Sequence, residues 1–262
     1  MLQLAGKCTL VTGSVQGLGL AVARRLAAAG SHIVLNGFAD ERTVTTVQRS
    51  LEDTRGVRAM YSNADLRRPS EIERMVAEAH AAFGGIDVLV NNAVVRHAHP
   101  IEAYPVDAWD EGLAANLSAA FHTIRLALPG MKAAGWGRIV NMSSIYGLRA
   151  APNRIGYVTT KTALIGLTRA VALETTGFGI TCNAVCPGTV ETPVHEDAVR
   201  AMIAAQGIDR SEAEGRLLAG KNPTGRFVSA DGVAALVAFL CGPDAADITG
   251  AVLPIDGGWS AQ

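Results

Sequence analysis

The chain has 262 residues, 49% hydrophobic and 18% charged, with a formal net charge of -1. That is enough for one large α/β domain with a substantial core. It has no basic stripe or like-charge run to attract nucleic acid, and no apolar stretch approaching the roughly 18 residues of a membrane span. The first residues lack the apolar core and cleavage site of a signal peptide, so a cytoplasmic location is expected.

The first apolar run, residues 8–12, reads as a strand. It opens into Thr12-Gly13-Ser14-Val15-Gln16-Gly17-Leu18-Gly19 and a helical pattern over residues 18–29. Glycine lets a backbone turn sharply and approach a phosphate closely. The start of a helix offers free N–H groups and a positive dipole end to a pyrophosphate. The spacing is G-x-x-x-G-x-G rather than G-x-G-x-x-G, but its place after the first strand points to dinucleotide binding. The second strand, 32–36, ends in Asn36-Gly37-Phe38-Ala39-Asp40, where an adenosine ribose is expected. NADP sites place Arg or Lys there. Neither this run nor the glycine loop has one, and Asp40 would repel a dianion if turned inward, so NAD is the expected cofactor. Asn36 stands where an Asp or Glu usually holds the ribose, which weakens that contact. Arg42, in the next helix (41–54), is the main counter-indication, and exposure on the helix surface accounts for it.

The third strand, 58–62, leads to Asp65, either an acceptor for the adenine amino group or an exposed turn residue. A helix over 70–83 and a strand over 88–91 follow, closed by Asn91-Asn92-Ala93 at the same edge of the sheet. One long helix is expected over 106–133, ended or kinked by Pro129. The fifth strand, 139–143, runs into Ser144, and a helix over 157–176 starts on Tyr157 and Lys161. Positions i and i+4 share a helix face, so a phenol and an ammonium can point into one site. The ammonium favours the phenolate. Bringing a tyrosine from about pH 10 to near 7 takes roughly three units, about 4 kcal/mol. Alone, this spacing is weak and more often describes a solvated surface pair; the rest of the chain reverses that reading. A strand over 181–185 precedes residues 191–226, an Ala-rich, polar break in the alternation. It reads as a surface insertion or, preferably, as a lid, since it begins where ligands bind in such sheets. A helix over 231–240 and a strand over 252–255 end the pattern. Apolar strands bounded by helices imply parallel β-α-β units covered on both faces. Cys8, Cys182, Cys186 and Cys241 lack metal spacing and read as buried thiols, and no metal site is expected.

Taken together, Thr12-Gly13-x-x-x-Gly17-x-Gly19, Asn91-Asn92-Ala93, Asn116, Ser144, Tyr157, Lys161 and Pro187-Gly188 resemble the single-domain short-chain dehydrogenases/reductases over essentially the whole chain. The resemblance implies a Rossmann-like, doubly wound, seven-stranded parallel sheet with helices on both faces. It implies Tyr157 as acid/base and Lys161 as the group that lowers its pKa and holds the nicotinamide ribose. Ser144 would bond the substrate oxygen, and Asn116 would hold a water relaying protons from Lys161. Cofactor contacts are implied for Gly13, Ser14, Gln16, Gly17, Leu18 and Gly19, then for Asn36, Gly37 and Phe38, and then for Asp65, Leu66, Asn92 and Ala93. Pro187, Gly188 and Val190 would embrace the nicotinamide, with Thr192 on its carboxamide. A homotetramer is the usual assembly, a dimer the less usual one. Val94 departs from the family's glycine and would narrow the pocket.

Stretches such as Ile33-Val34-Leu35-Asn36-Gly37-Phe38 and Asp256-Gly257-Gly258-Trp259 are most similar to the D-3-hydroxybutyrate dehydrogenases within the family. That group binds the substrate carboxylate through Gln, His and Lys where this chain has Arg96, Tyr146 and Arg154. Either the two arginines grip an acidic substrate or they are solvated; the sequence leaves Arg154 open and leans to the surface for Arg96. Tyr146 and Trp259 either wall the pocket or pack beneath it. The expected reaction is an NAD-dependent interconversion of a secondary alcohol and a ketone, led by a 3-hydroxy acid of the hydroxybutyrate type. Another hydroxy acid, a polyol or a cyclic ketone is the alternative substrate. A non-catalytic NAD-binding sensor is the alternative from another class.

Overall fold

Seven apolar runs pair into one parallel sheet in the computed structural model, which describes residues 3–54 and 56–262, the side chain of Val194 apart. The strands are β1 (Cys8–Val11), β2 (His32–Asn36), β3 (Ala59–Ser62), β4 (Val88–Asn91), β5 (Gly137–Met142), β6 (Ile180–Pro187) and β7 (Val252–Ile255). Their order is β3-β2-β1-β4-β5-β6-β7. The winding reverses between β1 and β4, and a crevice opens there beyond the carboxyl ends of the strands.

The helices are α1 (Gly17–Ala28), α2 (Glu41–Glu52), α3 (Pro69–Phe83), α4 (Val106–Leu113), α5 (Ala119–Ala134), α6 (Ile155–Glu174), α7 (Pro193–Gln206), α8 (Arg210–Leu218) and α9 (Ala230–Cys241). Two cores form because strand side chains alternate between faces. Ile33 and Leu35 pack with Val22, Leu26, Val47 and Val237 of α1, α2 and α9. Val34 and Leu10 pack with Ile72, Met75, Ile124, Met131 and Val171 of α3, α5 and α6. A ladder of buried polar side chains crosses the second layer. Thr123 donates to Asn91 (2.7 Å), Asn91 to Asn141 (2.9 Å), and Asn141 to Thr168 (2.9 Å). Each buried pair that would otherwise stand unsatisfied is worth roughly 1–3 kcal/mol, so the ladder fixes α5 and α6 against the strands that carry the site.

The long helix expected over 106–133 is two helices joined by a π turn at Ala114–Ser118. Pro129 neither ends α5 nor stops short of it: the helix continues to Ala134. Pro129 and Arg125, whose carbonyl loses the helical bond, are both exposed, so water can satisfy that carbonyl. Residues 191–226 hold α7 and α8, joined by Arg210 to Glu196 at 2.7 Å. Among the described residues no helix is long and apolar enough to cross a membrane. Among the same described residues, no cluster of three or more His, Cys, Asp or Glu residues is placed to hold a metal ion.

Candidate active site

A cleft of about 690 Å3 lies at the switch point, lined by the loops after β1, β2, β3, β4, β5 and β6 and by the start of α7. Its first wall is the β1–α1 turn. Gly13 has a φ of +61°, and a Cβ there would stand 2.9 Å from the Ala93 Cα. A Cβ on Gly19 would stand 2.1 Å from the Gly13 carbonyl oxygen. Only glycine permits this close seat. No side chain caps the start of α1, which leaves its first-turn N–H groups for an anionic ligand such as a pyrophosphate. Gln16, Gly17, Leu18 and Gly19 line the cleft here.

Ser14 turns the other way. It is fully buried, its hydroxyl donates to the Val11 carbonyl (2.7 Å), and its N–H donates to the Asn36 carbonyl (2.7 Å). The expected contact from Ser14 is therefore corrected: it is scaffold for the loop. Asn36 lines the cleft, but its amide donates to the Ala64 (3.0 Å) and Ser62 (3.3 Å) carbonyls. It ties the end of β2 to β3 and leaves little for a ribose. Asn92 donates to the Thr12 (2.9 Å) and Gly13 (3.0 Å) carbonyls and so fastens β4 to the same loop.

Gly37, Phe38, Asp65 and Leu66 line the end of the cleft beyond β2 and β3. The Asp65 carboxylate is already held by Arg67, whose Nε and Nη2 reach it at 2.9 and 2.8 Å. That hydrogen-bonded pair, against the opposing effect of burial, keeps Asp65 below the usual carboxylate range. Arg67 also reaches Glu111 at 2.6 Å, and Glu111 holds His97 at 2.8 Å. Asp40 faces away from the cleft: it caps α2, accepting from the Thr43 N–H at 2.8 Å. Arg42 is exposed and outside the cleft.

At the other end Ser144, Tyr157 and Lys161 meet, all buried and all lining the cleft. Tyr157 and Lys161 share the inner face of α6. Gly156 lets that face close in, since a Cβ would stand 2.6 Å from the Tyr104 hydroxyl. The Lys161 Nζ donates to the Met142 carbonyl (2.7 Å) and lies 5.7 Å from the Tyr157 ring centre. Ser144 Oγ accepts from the Tyr146 N–H (3.2 Å), which leaves its own proton free to turn toward the cleft. Burial raises the Tyr157 pKa. The Lys161 ammonium, the Arg96 guanidinium and the Ser144 hydrogen bond outweigh it and hold the phenol below its ordinary value. Burial also lowers Lys161 from its ordinary value, against the attraction of Tyr157.

Asn116 sits in the π turn, a break often found at functional positions. Its Oδ1 accepts from the Val95 N–H (2.8 Å) and its Nδ2 donates to the Val95 carbonyl (3.0 Å), so it fixes the β4–α4 loop. Val94 lines the cleft without a left-handed backbone, so its side chain is accommodated. Arg96 is exposed, as expected, and it also lines the cleft, with its guanidinium carbon 5.5 Å from the Tyr157 ring centre. Arg154 is half-buried beside Tyr146 and does not line the cleft. Tyr146 and Trp259 stand edge to face at 5.5 Å behind Tyr157 and also stay outside it.

Pro187, Gly188, Val190 and Thr192 line the wall opposite Tyr157 together with His195, which sequence reasoning missed. The His195 Nδ1 donates to the Val190 carbonyl (2.7 Å) and lies 3.0 Å from the Thr192 hydroxyl. Burial, with Arg96 and Lys221 nearby, holds its pKa below the ordinary value against that hydrogen bond. A lone histidine in an Ala-rich segment carries no periodic or spacing signal, so only the fold could show it.

A glycine-cradled crevice at a sheet switch point, with a cation-flanked phenol at its far end, defines a nicotinamide-dependent oxidoreductase acting on CH–OH groups. Residues 7–202 match the short chain dehydrogenase family, to which the chain belongs. It is 44% identical over 259 residues to a D-beta-hydroxybutyrate dehydrogenase of Cupriavidus necator, covering 99% of this chain and 100% of that one. It is also 44% identical to a D-beta-hydroxybutyrate dehydrogenase of Rhizobium meliloti, covering 98% of this chain and 99% of the relative. Among solved structures, L-sorbose reductase from Gluconobacter frateurii, complexed with NADPH and L-sorbose, superposes with a TM-score of 0.93 at 29% identity, covering 100% of this chain and 99% of that one.

Proposed function

We propose that the protein is an NAD-dependent dehydrogenase that interconverts a 3-hydroxy acid of the D-3-hydroxybutyrate type and its 3-keto acid. The observation that carries the reading is Arg96: a guanidinium with no acidic partner among the described residues, inside the cleft and beside Tyr157. It supplies a carboxylate anchor within reach of the reacting carbinol. The 44% identical relatives support the same substrate class.

The α1 N-terminus and glycine turn would hold the pyrophosphate, and Pro187, Gly188, Val190 and Thr192 the nicotinamide end. When bound, the nicotinamide supplies the hydride acceptor or donor. The protein's part is proton transfer and alignment. Ser144 bonds the substrate oxygen. In oxidation the Tyr157 phenolate takes the hydroxyl proton as the carbinol becomes a carbonyl; in reduction the phenol returns it. Lys161 stabilises the phenolate across α6.

NAD rather than NADP is favoured because Arg67, the cation lining the adenosine end, already serves Asp65 and Glu111. An added phosphate would meet no free base there. Residues 191–226 act as a lid carried by α7, whose Pro193, His195 and Asp197 line the cleft. A homotetramer is supported by large exposed apolar side chains, among them Val106, Phe121 and Leu173. Four buried free thiols are consistent with a cytoplasmic setting.

The test is a spectrophotometric screen for NADH over D- and L-3-hydroxybutyrate, other hydroxy acids, polyols and cyclic alcohols. The highest kcat/KM is expected for a D-3-hydroxy acid. A polyol or cyclic alcohol ahead of every hydroxy acid would overturn the substrate assignment.

A further inference from the structure

Arg96 does more than the carboxylate anchor requires. The phenol of Tyr157 stands between two cations, the Lys161 Nζ 5.7 Å from its ring centre and the Arg96 guanidinium carbon at 5.5 Å. Lys161 is buried and tied to the Met142 carbonyl. Arg96 is exposed to the open cleft. Its loop is not free to wander, because Asn116 holds both backbone groups of Val95. The acidic side chains that line the cleft each have a cation of their own: Asp65 and Glu111 hold Arg67, and Asp197 holds Arg200 at 2.7 Å. Arg96 is thus a cation beside the catalytic phenol with no acidic partner among the described residues, open to pair with an anion that enters the cleft.

We propose that Arg96 is a positioning residue that couples the charge of the substrate to the acidity of Tyr157, so that a bound carboxylate switches the acid/base group toward its protonated form. This rests on the reading of Tyr157 as the acid/base. With Arg96 unpaired, two positive charges favour the phenolate. When a carboxylate pairs with Arg96, its charge cancels the guanidinium field and the phenol holds its proton more tightly. The other groups around the phenol do not mask the change. Tyr146, from the turn after β5, and Cys186 of β6 are both held neutral by burial. His195 faces Arg96 from α7 and is held below its ordinary value by burial. Arg154 acts on Tyr146 from the start of α6. The consequence is a substrate-dependent pH profile: a 3-hydroxy acid is oxidised with an acid limb at higher pH than a neutral secondary alcohol of the same shape. Binding of a 3-keto acid likewise shifts Tyr157 toward the protonated form that its reduction needs.

The test reads Tyr157 directly, by ultraviolet difference titration of tyrosinate with the Y157F signal subtracted. Arg96 is solvated, so screening limits the effect to about one pH unit. R96Q is expected to raise the Tyr157 ionisation by about that much in the cofactor-free enzyme, and R96K to restore most of it. With saturating NAD, butyrate as an unreactive carboxylate is expected to raise the wild-type value by a similar amount and to leave R96Q unmoved. Equal titrations for wild type and R96Q overturn the proposal, as does a butyrate effect of equal size in both. If the shifts appear but no alcohol is oxidised, the acid/base reading has failed and the coupling stands. If alcohols are oxidised without the shifts, the coupling has failed.

Discussion

Lys161→Met removes the buried charge on Tyr157 while keeping the length of the side chain. The Nζ lies 5.7 Å from the phenol ring centre and is 2% exposed, so solvent screens it little. At an effective dielectric of about 20, a unit charge at that separation contributes about 3 kcal/mol to the phenolate, or about two pH units. The sign follows from the direction of the shift. Tyr157 is held below its ordinary value, the phenolate exists above that lowered value, and losing the ammonium moves the window upward. With NAD saturating, the acid limb of kcat/KM for alcohol oxidation should rise by about two pH units. Activity near neutrality should fall about a hundredfold and partly recover at high pH. The substitution also unpairs the Met142 carbonyl, at about 1–3 kcal/mol, so thermal denaturation should accompany the pH profile to show that the fold remains. A folded K161M enzyme with its acid limb unmoved would refute the claim that this charge tunes the phenol.

NAD should exceed NADP in kcat/KM by about a hundredfold, the equivalent of about 3 kcal/mol for a buried phosphate without a cation; equal efficiencies would contradict the account of Arg67. Gly19→Ala drives a Cβ into the Gly13 carbonyl at 2.1 Å, so NAD affinity by fluorescence titration should fall at least about tenfold; unchanged affinity would mean the turn relaxes freely. Asn116→Ala removes both bonds to Val95. It should lower stability by about 2 kcal/mol in chemical denaturation and raise KM for hydroxy acids. Wild-type values of both would separate Asn116 from the loop that carries Arg96.

Most of the sheet was legible because parallel strands buried on both faces leave near-continuous apolar runs. The predicted strands fall within two residues of those observed, the end of β6 included, which runs on to Pro187. Tyr157, Lys161, Ser144 and the glycine turn were legible because their chemistry demands fixed spacing. What escaped were features decided by single hydrogen bonds. The π turn at Ala114–Ser118 is flanked directly by α-helix on both sides and has no residue signature of its own, so the sequence of residues 106–133 reads as one helix. Ser14 sits in the cofactor motif, yet its hydroxyl turns to Val11 because the Asn36 backbone closes over it. Pro129 by type ends or kinks a helix, yet α5 runs on past it, because its exposed position lets water serve the carbonyl that loses its partner. Arg96 looked like a surface residue and is indeed solvated; only the folded loop shows that the solvent around it is the cleft.

The most direct measurement is single-turnover NADH formation from D-3-hydroxybutyrate by wild type and Tyr157→Phe, with NAD binding followed in the same samples. The account predicts rapid NADH formation by the wild type and none by Y157F, at NAD affinities within a few-fold of each other. Firm NAD binding by the wild type with no NADH from this or any other secondary alcohol would contradict it and leave a dinucleotide-binding protein without catalysis.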